Sequence, residues 1–124
     1  MTAEKILIVE DDPVSLKLMR DVLRARGYET SDATSGEEGL ARARDWVPDL
    51  IVMDIRLPGI DGIEAARSLK GDRRTKLIPI VAVTAHAMLG DEGRIREAGY
   101  DAYLPKPLHL AEFVSVVEGL LAGN

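Results

Sequence analysis

The stretch Leu50-Ile51-Val52-Met53-Asp54 is a run of four apolar residues that stops at an acid. Such a run is too short for a typical helix, and its β-branched residues favour a strand that is buried on both faces. Three further apolar runs also stop at a charged or hydroxyl side chain. These are Ile6-Leu7-Ile8-Val9 before Glu10, Ile80-Val81-Ala82-Val83 before Thr84, and Ala102-Tyr103-Leu104-Pro105 before Lys106. The four runs predict strands that end in polar residues.

Helical patterns separate these strands along the chain. Asp12 followed by Pro13 is typical of a helix start, Ser35-Gly36-Glu37-Glu38 reads as a capping box, and Asp61 can cap a further helix. Two more helices are predicted from about Leu89 to Ala98 and from about Leu110 to Leu121. A fifth and more polar strand is predicted from Tyr28 to Ala33, at an edge of the sheet. The alternation predicts an α/β fold, a doubly wound parallel sheet of five strands with helices on both faces.

The polar residues at the strand ends predict a site. In a parallel sheet all the carboxyl ends lie along one edge, and ligands of such sheets bind beyond that edge. Three acids (Glu10, Asp11 and Asp54), the Thr84 hydroxyl and the Lys106 ammonium are therefore expected to converge. Carboxylate oxygens are ligands for a hard cation, and an ammonium and a hydroxyl suit a phosphoryl group.

Composition limits the class of protein. The chain has 124 residues, which predicts one domain over residues 1–124, and its net charge of -5 argues against a nucleic-acid-binding surface. No cysteine is present, so neither a disulfide nor a thiolate metal site is expected. The apolar runs are far shorter than a membrane span, and Met1 lies too close to the first strand for a signal peptide. We expect a cytoplasmic protein without a membrane segment.

Five motifs carry a family resemblance that covers essentially the whole chain. They are Ile8-Val9-Glu10-Asp11-Asp12, Met53-Asp54-Ile55-Arg56-Leu57-Pro58, Asp61-Gly62, Val83-Thr84-Ala85 and Tyr103-Leu104-Pro105-Lys106-Pro107. In this order and spacing the chain resembles the receiver domain of two-component response regulators. The stretch from His86 to Gly99 is similar to DivK-type single-domain regulators and also to receivers of hybrid kinases. The resemblance implies a flavodoxin-like (βα)5 fold with strand order 2-1-3-4-5, often with a cis bond before Pro107.

The resemblance also implies a phosphoacceptor and a metal. Asp54 would take a phosphoryl group from a phosphohistidine. Asp11 and Asp54 would bind Mg²⁺ together with the backbone carbonyl of Arg56, and Glu10 would act through water. Mg²⁺ prefers one or two carboxylates plus waters, which this set of acids supplies.

Further roles follow from the same resemblance. Thr84 and Lys106 would contact the phosphoryl oxygens, and Tyr103 would rotate inward on phosphorylation. Arg56 and His86 lie at the rim of the site, and we expect them to shield the phosphoryl group from water. His109, near the start of the last helix, is expected on the surface.

The implied partners are a histidine kinase, a histidine phosphotransfer protein, or both. The helix that begins at Pro13 is an expected docking surface, by analogy with the family. No output domain is expected, because Asn124 ends the chain just after the last helix. Output would then be onward phosphotransfer or protein contact through the face made by the fourth helix, fifth strand and fifth helix. A receiver taken from a longer hybrid kinase remains an alternative.

Taken singly, three of these residues have ordinary structural explanations: Asp54 as a turn residue, Thr84 as a structural hydroxyl and Tyr103 as a half-buried strand tyrosine.

Two other functions compete with this interpretation. A phosphohydrolase with an aspartyl nucleophile needs a second Asp two residues later, where this chain has Arg56. A binding module that has lost phosphorylation usually lacks an acid, the Thr or the Lys, and all of these are present. An active receiver is favoured.

Overall fold

The computed structural model describes residues 3–85 and 91–123 of the chain. The five strands are β1 (Lys5–Val9), β2 (Glu29–Ala33), β3 (Leu50–Asp54), β4 (Ile80–Thr84) and β5 (Ala102–Pro105). The five helices found in these residues are α1 (Pro13–Ala25), α2 (Gly36–Trp46), α3 (Gly62–Lys70), α4 (Asp91–Glu97) and α5 (Leu110–Ala122). Strands and helices alternate along the chain, as the sequence predicted.

The strands form one parallel sheet in the order β2-β1-β3-β4-β5. The predicted fold class and strand order are therefore confirmed, and the polar strand β2 lies at an edge. The chain first adds β2 on one side of β1 and then builds β3, β4 and β5 on the other. Strand order thus reverses between β1 and β3, at the place where a doubly wound sheet opens a crevice for a ligand.

Two apolar layers cover the two faces of the sheet. Alternate residues of β1 illustrate this, since Leu7 packs in the layer with α2 and α3, whereas Ile8 packs in the layer with α1 and α5. Both side chains are fully buried. Burial on both faces explains why the strands read as continuous apolar runs rather than as alternating ones. Within the described residues no helix combines the length and apolarity that crossing a bilayer requires.

Side chains cap the helices that start beside the carboxyl edge. Asp12 accepts hydrogen bonds from the amides of Val14 and Ser15, and Pro13 occupies the first position of α1. The predicted capping box is only half formed. The Ser35 hydroxyl accepts from the amide of Glu38 at 3.1 Å, but the Glu38 carboxylate accepts from the amide of Thr34 at 2.7 Å instead of that of Ser35.

Helix α3 begins in direct contact with the end of β3. The amide of Gly62 donates to the carbonyl of Ile55 at 2.8 Å, and the Tyr100 hydroxyl donates to the carbonyl of Gly62 at 2.8 Å. A Cβ at Gly62 would lie 2.7 Å from the Ile55 Cα and 2.8 Å from the Asp54 carbonyl oxygen. Both of these are backbone atoms that cannot move aside, so this position excludes any side chain.

We therefore predict opposite effects of two glycine replacements. Gly62→Ala should lower the free energy of unfolding by about 1–3 kcal/mol, because the added methyl group overpacks the backbone of β3. Gly93→Ala should raise it by about 0.5–1 kcal/mol, because Gly93 lies in α4 and, apart from the backbone of its own helix, no atom of the described residues lies within 4 Å of the added Cβ. Urea denaturation of both variants measures the two changes. Equal stability of Gly62→Ala and the parent chain would contradict the packing described for α3.

Candidate functional site

The register of the sheet brings the predicted site residues to one edge. Val9 pairs with Met53, so Glu10 and Asp54 each lie one residue further along, side by side. On the other side of β3, Asp54 pairs with Val83, the residue before Thr84. Thr84 in turn pairs with Pro105, so Lys106 follows at the same edge, and its amide donates to the Thr84 carbonyl at 2.7 Å.

Lys106 joins two of the three acids. Its Nζ lies 2.6 Å from Glu10 Oε1 and 3.2 Å from Asp54 Oδ2. The side chain of Glu10 has no exposed surface, and those of Asp54 and Lys106 are 8% and 15% exposed. The bond to Glu10 is a short charge-assisted hydrogen bond, whereas the contact with Asp54 is longer than such bonds usually are. The Lys106–Pro107 peptide bond is cis, as the family resemblance implied.

Burial and mutual proximity shift the pKa values of these groups. The pKa of the Glu10 carboxyl is raised from 4.5 to about 7, mainly by burial and also by the neighbouring Asp54. The hydrogen bond from Lys106 lowers this pKa but offsets only part of the increase. For Lys106, burial lowers the pKa. The hydrogen bond to Glu10 and the charge of Asp54 outweigh that effect, so the pKa of Lys106 is raised above its usual value of 10.5. The ammonium is therefore held in its charged form.

Three carboxylates form a cluster that fits a metal ion. One oxygen each from Glu10, Asp11 and Asp54 lie within 4.8 Å of one another. Glu10 and Asp54 are buried, whereas Asp11 is exposed and reaches the cluster from the solvent side. A set of oxygen donors only, with part of the cluster open to water, matches the preference of Mg²⁺ for a few carboxylates and retained waters.

Backbone amides hold two of these carboxylates in place. The amide of Arg56 donates to Asp54 Oδ1 at 3.0 Å, and the amide of Asp12 donates to Glu10 Oε2 at 3.2 Å. The side chain of Arg56 is exposed, so the residue contributes its backbone inside the site and its guanidinium at the rim. Sequence reasoning missed the amide of Asp12 and the direct bond between Glu10 and Lys106. Short polar contacts of this kind leave no periodic pattern in the sequence.

The other predicted site residues differ in where the structure places them. Thr84 is 2% exposed and ends β4. It follows Val83, the residue that pairs with Asp54, and so lies next to the acidic cluster. Tyr103 is half-buried and packs against the apolar layer that includes α3. His86 lies outside the described residues. His109 is exposed at the residue before α5, as expected.

The arrangement can neutralise and orient an anionic group. An ammonium and a cluster of oxygen ligands lie at the same edge, and the Asp54 carboxylate belongs to the cluster and also contacts the ammonium. Preorganised charges of this kind stabilise charge that develops during a reaction without the reorganisation that water would need. The geometry therefore favours attack by a carboxylate on an anionic electrophile.

Comparison with known sequences identifies relatives that cover almost the whole chain. The profile of the family described as "Response regulator receiver domain" matches residues 6–118. The chain is 46% identical over 118 residues to the polar-differentiation response regulator DivK of Brucella ovis, and the match covers 95% of this chain and 96% of that protein.

Comparison with solved structures gives the same fold. The receiver domain of sensor histidine kinase PA1611 from Pseudomonas aeruginosa superimposes with a TM-score of 0.91 at 33% identity, covering 99% of this chain and 100% of that one. That crystal structure has a magnesium ion coordinated in its active site cleft. A CheY-like receiver domain protein from Methanospirillum hungatei superimposes with a TM-score of 0.92 at 30% identity, covering 98% of this chain and 96% of that one.

Proposed function

The chain belongs to the family of response regulator receiver domains, and on that basis we propose that it accepts a phosphoryl group on Asp54 in a two-component phosphorelay. The donor would be a phosphohistidine on a histidine kinase or on a histidine phosphotransfer protein. In this role the protein would be a signalling switch that catalyses only its own phosphorylation and dephosphorylation.

One observation carries the proposal. The Asp54 carboxylate lies 3.2 Å from the Lys106 ammonium, and one of its oxygens lies within 4.8 Å of oxygens from Glu10 and Asp11. A carboxylate that served only as a turn residue would need neither a buried cation nor a second and third acid beside it. The cluster is costly to bury, because like charges repel at short distance and burial disfavours the charged form.

The proposed reaction is a displacement at phosphorus. A carboxylate oxygen of Asp54 forms a bond to phosphorus while the bond between phosphorus and the imidazole nitrogen of the donor breaks. The electron pair of the broken bond stays on that nitrogen, the other nitrogen of the ring carries a proton so that neutral imidazole leaves, and the product on this chain is an acyl phosphate. Asp54 needs no proton transfer for this step, because the charged carboxylate is the nucleophile.

The residues of the chain supply orientation and charge. Asp11 and Asp54 would hold Mg²⁺ with the backbone carbonyl of Arg56, while Glu10 acts through a bound water. Bound Mg²⁺ would offset the repulsion between the carboxylate and the incoming phosphoryl oxygens. Lys106 would move from its hydrogen bond with Asp54 to a phosphoryl oxygen. The amide of Arg56 keeps one carboxylate oxygen of Asp54 in a fixed direction.

The proposed readout starts at Thr84. Its hydroxyl would contact the phosphoryl group, and Tyr103 would then rotate inward from its half-buried position. Tyr103 lies on β5 between α4 and α5, so its movement would change the face that α4, β5 and α5 form. A partner protein that binds this face would sense phosphorylation, and onward phosphotransfer to another histidine is the second proposed output.

The direct test is phosphorylation by acetyl phosphate, followed by intact mass. We expect a single phosphoryl adduct in the presence of Mg²⁺, because the small donor needs only the site itself. Removal of Mg²⁺ by EDTA should abolish the adduct, and Asp54→Asn should not form it even with Mg²⁺.

One control variant separates the site from its surroundings. Asp45→Asn replaces an exposed acid on α2 and should form the adduct like the parent chain. An adduct that persists in Asp54→Asn, or that forms equally well in EDTA, would contradict the proposal. The absence of any adduct would favour a binding module that works without phosphorylation.

The first turns of α1 offer a docking surface for the donor protein. Val14 and Leu18 lie one helical turn apart and are 68% and 51% exposed, although both are apolar. Asp12, the cap of the same helix, follows the metal cluster directly in sequence. We propose that a helix of the histidine-bearing donor packs on this apolar pair and thereby brings its phosphohistidine to Asp54.

This docking surface predicts a selective defect. Leu18→Ala should slow phosphotransfer from a phosphorylated histidine phosphotransfer protein about tenfold, because an apolar anchor at the centre of an interface is typically worth more than about 1 kcal/mol. The rate with acetyl phosphate should stay unchanged. Leu77→Ala is the matched control, since Leu77 is 88% exposed but lies before β4, at the opposite end of the sheet. Equal slowing by both replacements would argue against docking on α1.

The rim of the site is proposed to set the lifetime of the acyl phosphate. Arg56 is exposed two residues after the phosphoacceptor, and His86 holds the equivalent place after Thr84 in the sequence. Long side chains at these positions would keep water from the phosphorus atom. We expect Arg56→Asn to shorten the half-life of the purified phosphorylated protein several-fold, measured by intact mass over time. An unchanged half-life would remove Arg56 from this role.

A cytoplasmic location, expected from the sequence, stays a prediction.

A further inference from the structure

The loop between β3 and α3 (residues 55–61) has to be held still for the proposed function to work. Arg56 lies in this loop and is the proposed source of a carbonyl ligand for Mg²⁺. Loops are in general more mobile than the elements that they connect. Mg²⁺, in contrast, demands a nearly ideal octahedral arrangement of its ligands. Contacts that fix the loop should therefore affect how well the metal binds.

Hydrogen bonds fix both ends of the 55–61 loop to the sheet and to α3. At its start the amide of Ile55 donates to the Val83 carbonyl at 3.1 Å. At its end the amide of Gly62 donates to the Ile55 carbonyl at 2.8 Å, and Asp61 caps α3. These bonds define where the loop begins and ends but leave its middle to other contacts.

Glu37 of α2 supplies the polar contact to the middle of the loop. Within residues 3–85 and 91–123, residues 57–60 make one hydrogen bond to another part of the chain, from the amide of Ile60 to Glu37 Oε2 at 3.3 Å. The side chains of Leu57 and Ile60 also pack against the apolar layer beside α2 and α3. The middle of the loop is thus held by apolar contacts of its side chains and by one hydrogen bond of its backbone.

Two glycines let α2 and the loop approach closely. A Cβ at Gly59 would overlap the Glu37 carboxylate, and Gly59 has a φ of +77°, which favours glycine in any case. A Cβ at Gly36 would lie 2.7 Å from the Ile60 carbonyl oxygen. The first turn of α2 and residues 59–60 are therefore packed as one unit.

We infer that Glu37 is a positioning residue for the metal site. Its carboxylate lies close to Gly59 and accepts a hydrogen bond from the Ile60 amide, and it thereby fixes the loop that carries the Arg56 carbonyl. The inference rests on the proposed function, since it takes Mg²⁺ to bind at Asp11, Asp54 and Arg56. Glu37 itself is exposed and does not belong to the acidic cluster. Its role requires a hydrogen-bond acceptor at this position and does not require a negative charge.

Calorimetric titration of the unphosphorylated protein with MgCl₂ tests the inference. Glu37→Ala should weaken Mg²⁺ binding about tenfold, since loss of a group that orients a ligand typically costs about 10–100-fold in metal affinity. Glu37→Gln keeps an acceptor oxygen and should stay within about twofold of the parent chain. Glu112→Ala is the matched control, because Glu112 is also an exposed glutamate in the first turn of a helix.

Amide hydrogen exchange gives a second readout that does not depend on the metal. The Ile60 amide should exchange faster in Glu37→Ala than in the parent chain, and at the parent rate in Glu37→Gln and Glu112→Ala. Unchanged Mg²⁺ affinity in Glu37→Ala would overturn the inference alone. Equal weakening in Glu37→Ala and Glu37→Gln would also overturn it, because charge rather than positioning would then act. A parent chain that binds no Mg²⁺ would overturn the proposed function together with this inference.

Discussion

The interaction on which the site depends is the contact of one buried ammonium with two buried carboxylates. Lys106 lies within hydrogen-bonding distance of Glu10 and Asp54, and all three side chains are almost inaccessible to water. Loss of one partner from such a group leaves an uncompensated buried charge, which costs about 3–5 kcal/mol in known cases. Asp54 ends β3, whereas Glu10 and Lys106 are the residues that follow β1 and β5, so their contact links the ends of these three strands.

The parallel sheet is what makes this contact possible. The strands β1, β3 and β4 are buried on both faces, so that a shift of register would move polar residues into the core and apolar ones to the edge. Each strand therefore delivers its polar end to the same place. Because the order of the strands reverses between β1 and β3, the acids that follow or end these two strands lie at the place where doubly wound sheets bind ligands. The positions of the apolar strands therefore determine where the charged residues of the site lie.

Most of the fold was predictable because it rests on local patterns. Apolar runs, caps such as Asp12 and Asp61, and the alternation of elements predicted the strands and helices nearly at their observed bounds, except that the predicted start of the fourth helix at Leu89 lies outside the described residues. The convergence of Glu10, Asp54, Thr84 and Lys106 followed from the shared edge. Individual hydrogen bonds between a side chain and the backbone of a residue far away in the sequence were not predictable. Glu37 and Ile60 are 23 residues apart, Tyr100 and Gly62 are 38 apart, and neither pair leaves a periodic signal. The second bond of the predicted capping box is absent for a different and local reason. The Glu38 carboxylate can reach either of two neighbouring amides, and it accepts from that of Thr34.

A crystal structure with Mg²⁺ and beryllofluoride tests the central claim most directly, because beryllofluoride on a carboxylate stands in for the phosphoryl group of an acyl phosphate. The account predicts beryllofluoride on Asp54, Mg²⁺ bound by Asp11, Asp54 and the Arg56 carbonyl, and the Lys106 ammonium in contact with a fluorine atom. Beryllofluoride or Mg²⁺ bound at another carboxylate, or a Lys106 that remains on Glu10 and makes no contact with the bound group, would contradict it.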